Sequence, residues 1–201
     1  KLYKRGDVMP TNTYYNLSEE KKIRIEEAVK KEFARVPLID MSVKNIVTDA
    51  KIARGSFYQY FESREDLINY MLDKEFEKES EDFLKILQQS NKDIFQCTYK
   101  YLIEILNRQK QNSSYYINIF QYLHETKIQP LKMIDIENIT EYVNIELLNI
   151  STKEEIYAAV RVIAILTFSK KMEILNGKIS KEEGLKEYKQ ELEIIKRGIM
   201  K

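Results

Sequence analysis

Ser42–Phe61, SVKNIVTDAKIARGSFYQYF, is the stretch that decides how the rest of the chain is read. Val43, Ile46, Val47 and Ala50 recur at i, i+3, i+4 and i+7, which draws one apolar stripe along a short helix. Ser42 stands just ahead of that stripe, where a hydroxyl can accept from a free N–H of the first turn. The pattern breaks at Ala50-Lys51-Ile52 and resumes with Phe57 and Phe61, one helical turn apart. Two short amphipathic helices joined by a tight turn make a helix-turn-helix, whose second helix can lie in the major groove of DNA. Its polar side carries Arg54, Gly55, Ser56, Tyr58, Gln59 and Tyr60. Arg suits guanine edges or phosphate, Gln suits adenine, and hydroxyls suit phosphate oxygens. Two plainer readings fit the same residues. FYQYF alternates well enough for a β-strand, and the pair could be an αα-hairpin with Lys44 and Arg54 as solvated charges.

The run Gly55-Ser56-Phe57-Tyr58-Gln59-Tyr60-Phe61, followed by Ser63-Arg64-Glu65-Asp66-Leu67, resembles the DNA-binding signature of the TetR-type transcriptional regulators. The specific match runs roughly from Ile23 to Leu72, and beyond it only the helical layout agrees. The resemblance implies DNA contacts from Ser42 and Lys44 on the first helix. It implies further contacts from Arg54, Gly55, Ser56, Tyr58, Gln59, Tyr60 and Arg64 on or just after the second, with Phe57 and Phe61 as buried pins. Lys51 departs from the family's usual glycine in the turn. If the backbone there is left-handed, Lys costs about 1 kcal/mol relative to Gly. Pro37 replaces the glycine that usually closes the first helix, and proline also stops one.

The 201 residues suit one compact domain or a small head on a larger body. A 43% hydrophobic and 32% charged composition is that of a globular chain, and five Gly and three Pro among Lys/Glu/Ile/Leu-rich runs predict an all-α fold of about nine helices. The net charge of +1 argues neither for nor against nucleic acid. Locally, Lys44, Lys51 and Arg54 face Asp49 alone between Ser42 and Tyr60, a small basic footprint whose tight binding would need two heads on one duplex. One His and one Cys exclude a His/Cys zinc cluster and an intrachain disulfide, and Cys97 in a helical pattern reads as a buried thiol in a cytoplasmic protein. No apolar run has membrane-spanning length, and no secretion signal opens the sequence. Lys1–Val8 precede Met9, a candidate natural start, and stand outside the fold argument.

In chain order, residues 1–17 are expected as a flexible arm, 18–62 as a three-helix DNA-binding head, and 63–201 as a helical ligand-binding and dimerisation body. Ser18-Glu19-Glu20 opens the first helix, whose Ile25, Ala28, Val29 and Phe33 cover the helix-turn-helix from behind. Ser63 with Asp66 reads as a capping box for a long helix to about Gln88 that links head to body. Further helices are expected from Asp93 to about Arg108, around Tyr115–Leu123, from Leu131 to about Leu147, and from Thr152 to Asn176 behind a Ser151–Glu154 capping box. Ser180 and Glu183 cap the last one.

The Thr152–Asn176 helix is apolar nearly all round, so it is expected to be buried on two sides. The last helix carries a 3, 4, 3, 4 seam suited to another helix. Ile156, Val160, Ile163, Leu185, Tyr188, Leu192 and Ile195 are therefore assigned to a four-helix homodimer interface, against the alternative that these two helices close the monomer's own core. Phe95, Tyr99, Tyr115, Tyr116, Phe120, His124, Met133, Phe168 and Met172 are candidates for the wall of a ligand pocket, such as members of the resembled family commonly possess. Aromatic stripes at helical spacing also make plain core.

These features lead to a dimeric, ligand-responsive transcriptional repressor that binds a palindromic operator and is released by a small apolar or amphipathic molecule. The alternative is an all-helical dimer that binds small molecules or a protein without a DNA role. No phosphate loop, nucleophile–base pair or metal cluster supports an enzyme, and no cofactor or metal is expected.

Overall fold

A computed structural model describes residues 10–109, 113–127, 141–150 and 152–199. Among the described residues there are nine α-helices and no strand: α1 (Asn12–Tyr15), α2 (Glu19–Arg35), α3 (Val43–Asp49), α4 (Arg54–Tyr60), α5 (Arg64–Gln89), α6 (Ile94–Gln109), α7 (Ser113–Glu125), α8 (Lys153–Leu175) and α9 (Lys181–Ile199). They form two compact units, residues 10–76 with 113–127, and residues 77–109 with 141–150 and 152–199. Ser63, where the body is expected to begin, falls inside the first of these units. The start of α5 and all of α7 pack with the helix-turn-helix, because Leu67, Ile68, Met71 and Leu72 on α5 and Tyr115, Ile119 and Leu123 on α7 are buried there.

In the first unit the apolar stripe of α2 (Ile25, Ala28, Val29, Phe33) is buried as its spacing requires. The helix ends at Arg35 because Pro37 holds Val36 extended, at φ −140° and ψ 158°. α7 closes that end: Tyr115 stacks on Phe33 with ring centroids 6.0 Å apart, and the Asn118 amide donates to the Phe33 and Val36 carbonyls at 2.7 and 3.1 Å. Residues 10–17 are not a loose arm. Thr11 donates its N–H to the Tyr60 carbonyl (3.0 Å) and its hydroxyl to the Gln59 carbonyl (2.5 Å). Tyr14 is fully buried beside Phe61 and Tyr70. Its hydroxyl, that of Tyr70 and the Lys74 ammonium all donate to Glu26 Oε1.

In the second unit α6, α8, α9 and the end of α5 share one core that includes Leu87, Phe95, Cys97, Leu102, Ile156, Val160, Ile163, Tyr188 and Leu192. The capping box of α8 is Thr152–Glu155, one residue beyond the expected pair. The helix expected through Leu147 does not reach that far. Residues 128–140 lie outside the described residues, and a short 3-10 turn, Ile145–Leu147, follows Asn144, whose side chain accepts from the Glu146 N–H. α8 ends in a Schellman turn at Gly177 (φ 69°), with Gly177 N–H on the Ile174 carbonyl and Lys178 N–H on the Glu173 carbonyl. Gly184 lets α9 come close to α8, since a Cβ there would lie 2.6 Å from the Ile174 side chain.

Lys170 is buried between α8 and α9 and bonds Glu187 (2.8 Å), Glu173 (3.1 Å) and Glu191 (3.3 Å). Burial works against its charge, but the three carboxylates outweigh that and hold its pKa above the usual lysine value. No described helix is long and apolar enough to cross a membrane.

Candidate nucleic-acid interface

The reading helix α4 is seven residues long, too short to stand without support, and its inner face supplies that support. Phe57, Tyr60 and Phe61 fall at i, i+3 and i+4, and all three are buried. Phe57 and Phe61 were expected as pins. Tyr60 was expected on the DNA-facing side and is instead a third pin, 3% exposed, with the Lys21 ammonium 5.5 Å above its ring. Its spacing from Phe57 is the reason: three residues along a helix return to the same face.

The opposite face presents Arg54, Gly55, Tyr58 and Gln59, all exposed, with Ser56 half-buried beside them. Tyr58 keeps 51% of its surface open although it is a large aromatic. A Tyr held out of a nearby core is a side chain available to a partner. Lys44 on α3 is exposed and Ser42 is half-buried. The Ser42 hydroxyl makes no capping bond. The Ser42 N–H donates to Glu32 Oε1 at 2.9 Å.

Glu32 fixes the angle between α2 and α3. Its buried carboxylate accepts from Arg35 Nε and Nη2 (2.8 Å each), from the Ser42 N–H and from Asn45 Nδ2 (3.2 Å). Burial alone would raise its pKa, but these donors prevail and hold it below the usual glutamate value. Sequence reading passed over Glu32, because a lone acid on a charged helix looks like a solvated residue. Arg64 is partly committed to structure: Nη1 donates to the Ile39 carbonyl at 2.8 Å, and Nε and Nη2 to Glu65 Oε1. The expected Ser63–Asp66 capping box forms, with reciprocal bonds of 3.0 and 3.1 Å.

Between the two helices, Ala50-Lys51-Ile52 forms a Schellman turn. Lys51 N–H bonds the Thr48 carbonyl (3.2 Å) and Ile52 N–H the Val47 carbonyl (3.0 Å), with Lys51 at φ 51°. The backbone is thus left-handed where the resembled family has glycine.

The pocket candidates are divided between the two units. Tyr115, Tyr116, Phe120 and His124 belong to the first unit, and His124 is exposed. Phe95, Tyr99, Phe168 and Met172 belong to the second, where Phe95 is buried core and Tyr99 stacks on Tyr188 at 6.3 Å. Met133 lies outside the described residues. Of the seven residues assigned to a dimer interface, five are core of the single chain and two are partly buried against it. Ile156, Val160, Ile163, Tyr188 and Leu192 are buried within it, and Leu185 and Ile195 pack against the same cluster. The apolar side chains that α8 leaves exposed are Tyr157, Val162 and Ile165. No group of three or more metal-binding side chains occurs among the described residues.

Residues 25–71 match the family model described as "Bacterial regulatory proteins, tetR family", and residues 93–199 match "Tetracyclin repressor-like, C-terminal domain". A comparison with curated proteins gives no match. Among solved structures, a TetR family transcriptional regulator from Chloroflexus aurantiacus J-10-FL is similar at TM-score 0.55 and 23% identity, covering 96% of this chain and 99% of that one. A TetR transcription regulator from Haloarcula marismortui reaches TM-score 0.66 at 10% identity over 92% and 100% of the two chains. A TerR/AcrR family regulator from Aquifex aeolicus VF5 reaches 0.58 at 22% identity over 87% and 99%. The second family match alone spans more than half of the chain, so with its helix-turn-helix and all-helical body this protein belongs to the TetR family of transcriptional regulators.

Proposed function

We propose that this regulator is a dimeric repressor that occupies a palindromic operator and leaves it when a small apolar or amphipathic molecule binds its body. The observation that carries the reading is the exposed face of α4. Arg54, Gly55, Tyr58 and Gln59 stand outward on a helix pinned by three buried rings. Such a face has the donors and acceptors to read major-groove edges, and the pins give it the rigidity that readout needs.

Dimerisation is supported by the open stripe on α8. Tyr157, Val162 and Ile165 are 37%, 50% and 44% exposed, an arrangement a soluble helix seldom leaves uncovered. A two-fold pair would bring two reading helices to successive major grooves. Phe168 and Met172 on α8 are half-buried and remain the candidates in the second unit for touching an effector. An effector changes occupancy only by its difference in affinity between the bound and released shapes.

Selection of bound fragments from random duplex DNA, with and without a small-molecule library, tests this reading. The expected product is an inverted repeat whose half-site centres are separated by one helical turn or a multiple, about 10–10.5 bp each. Enrichment of no sequence, or of a single unpaired half-site, would count against it.

A further inference from the structure

We infer that Lys51, in the turn between α3 and α4, is a DNA phosphate contact that works alongside the reading helix, and this rests on the reading of that helix given above. Lys51 is exposed and lies three residues ahead of Arg54, so at most about 11 Å of chain separates their Cα atoms. In a helix-turn-helix the first residues of the second helix meet the base edges, which brings the residues just before them close to the backbone of the same groove.

The turn is rigid. Two Schellman bonds close it, and Arg24 Nε on α2 donates to the Ala50 carbonyl at 2.9 Å, which adds a second cation at this spot. The nearest acid in sequence, Asp49, is paired with Lys31 at 2.8 Å, and Lys51 forms no ion pair among the described residues. Its ammonium is therefore left for an outside anion, and the anion a helix-turn-helix meets is phosphate.

Strain by itself assigns nothing, since Lys92 and Lys127 take the same left-handed conformation (φ 60° and 55°) elsewhere. Strain does make the test clean, because glycine takes that φ freely. A purely structural Lys51 would be improved upon by Lys51→Gly without penalty to binding.

The experiment compares the parent, Lys51→Gly, Lys51→Arg and Tyr58→Ala on the duplex selected above and on a random-sequence duplex of equal length, across a salt series. Expected for Lys51→Gly are a raised thermal midpoint, an affinity about 3- to 10-fold weaker on both duplexes, and a slope of log K against log salt smaller by about one. Lys51→Arg keeps the charge and the parent's slope. Tyr58→Ala loses affinity for the selected duplex preferentially. If Lys51→Gly binds both duplexes with the parent's affinity and slope while Tyr58→Ala is impaired, this inference is overturned and the reading of α4 stands. If the parent itself shows no salt-dependent duplex binding, both fall.

Discussion

The side-chain amide of Asn118 on α7 donates to the backbone carbonyl of Phe33, eighty-five residues earlier, at 2.7 Å. A second bond from the same amide reaches the Val36 carbonyl at 3.1 Å. The last carbonyls of a helix have no partner inside it, so an outside donor is a true cap. Because Pro37 ends α2 without the glycine turn that normally supplies such donors, α7 takes over that task for the head. Asn118→Leu removes the donor and is expected to lower stability by about 1–2 kcal/mol. Faster amide exchange in the last turn of α2 would accompany the loss, and unchanged protection there would show the cap to be idle.

Glu32 joins α2 to the N-terminus of α3, and its folded pKa is depressed. A depressed carboxylate contributes stability that is fully present above its unfolded value, near 4.3, and is lost as pH falls through the folded value. Glu32→Ala should cost about 2–3 kcal/mol near neutral pH, since it leaves the Ser42 N–H and Asn45 amide without their acceptor. The gap between parent and variant should narrow below pH 4. Denaturant titrations at pH 7 and pH 3 measure both, and an equal gap at the two would refute the assignment.

Arg54 and Tyr58 carry little of the fold, since both are exposed. Arg54→Ala and Tyr58→Ala should each keep the parent's thermal midpoint within a degree or two while weakening operator binding about 10- to 100-fold, the range for one lost base or backbone contact of about 1–3 kcal/mol. Tyr60→Ala is the contrasting case. It removes a buried ring and should cost about 3 kcal/mol of stability before any effect on binding can be read. A stable Tyr60→Ala protein would return that residue to the DNA-facing set.

The exposed stripe of α8 predicts the response of the assembly. Ile165→Glu places a charge where a second copy is proposed to pack, and sedimentation should show a shift toward monomer at micromolar concentration with helicity retained. Ile163→Glu, by contrast, buries a charge in the monomer's own core and should unfold the second unit.

Cys97 is fully buried, its thiol 3.7 Å from the Phe83 carbonyl, and burial pushes its pKa well above the ordinary thiol value. Alkylation at pH 8 should be slow in the native protein and rapid in denaturant. Native labelling as fast as that of a free thiol would mean that the core around α6 opens readily.

The helix-turn-helix was legible because two features coincided there: a 3.6-residue apolar period and a rare run of side chains from Gly55 to Phe61. Tyr60 shows the limit of pattern reading. Its hydroxyl invited a surface role, yet the period that buries Phe57 buries it too. α1 was not legible at all. Four residues give no period, and what holds Tyr14 is Phe61, Tyr70 and Glu26, partners that only folding brings near. α8 was half legible. With apolar residues on every side, periodicity could not tell which face is core; the 2.6 Å bond between Thr167 and Tyr188 lies on the buried side and leaves Val162 and Ile165 outward. Ser42 and Glu32 fall in the same class, since a cap by a residue ten positions earlier leaves no trace in local spacing.

Thr11 is tied to the Gln59 carbonyl forty-eight residues later. On the ribosome, Thr11 emerges first and its partner follows roughly 2–10 s afterwards at ordinary synthesis rates. Tyr14 must wait longer still, for Phe61 and then Tyr70 to enclose it. Thr11 and Tyr14 are therefore made before every side chain and carbonyl that holds them in place later in the unit, and α4 goes without its terminal clasp until they dock.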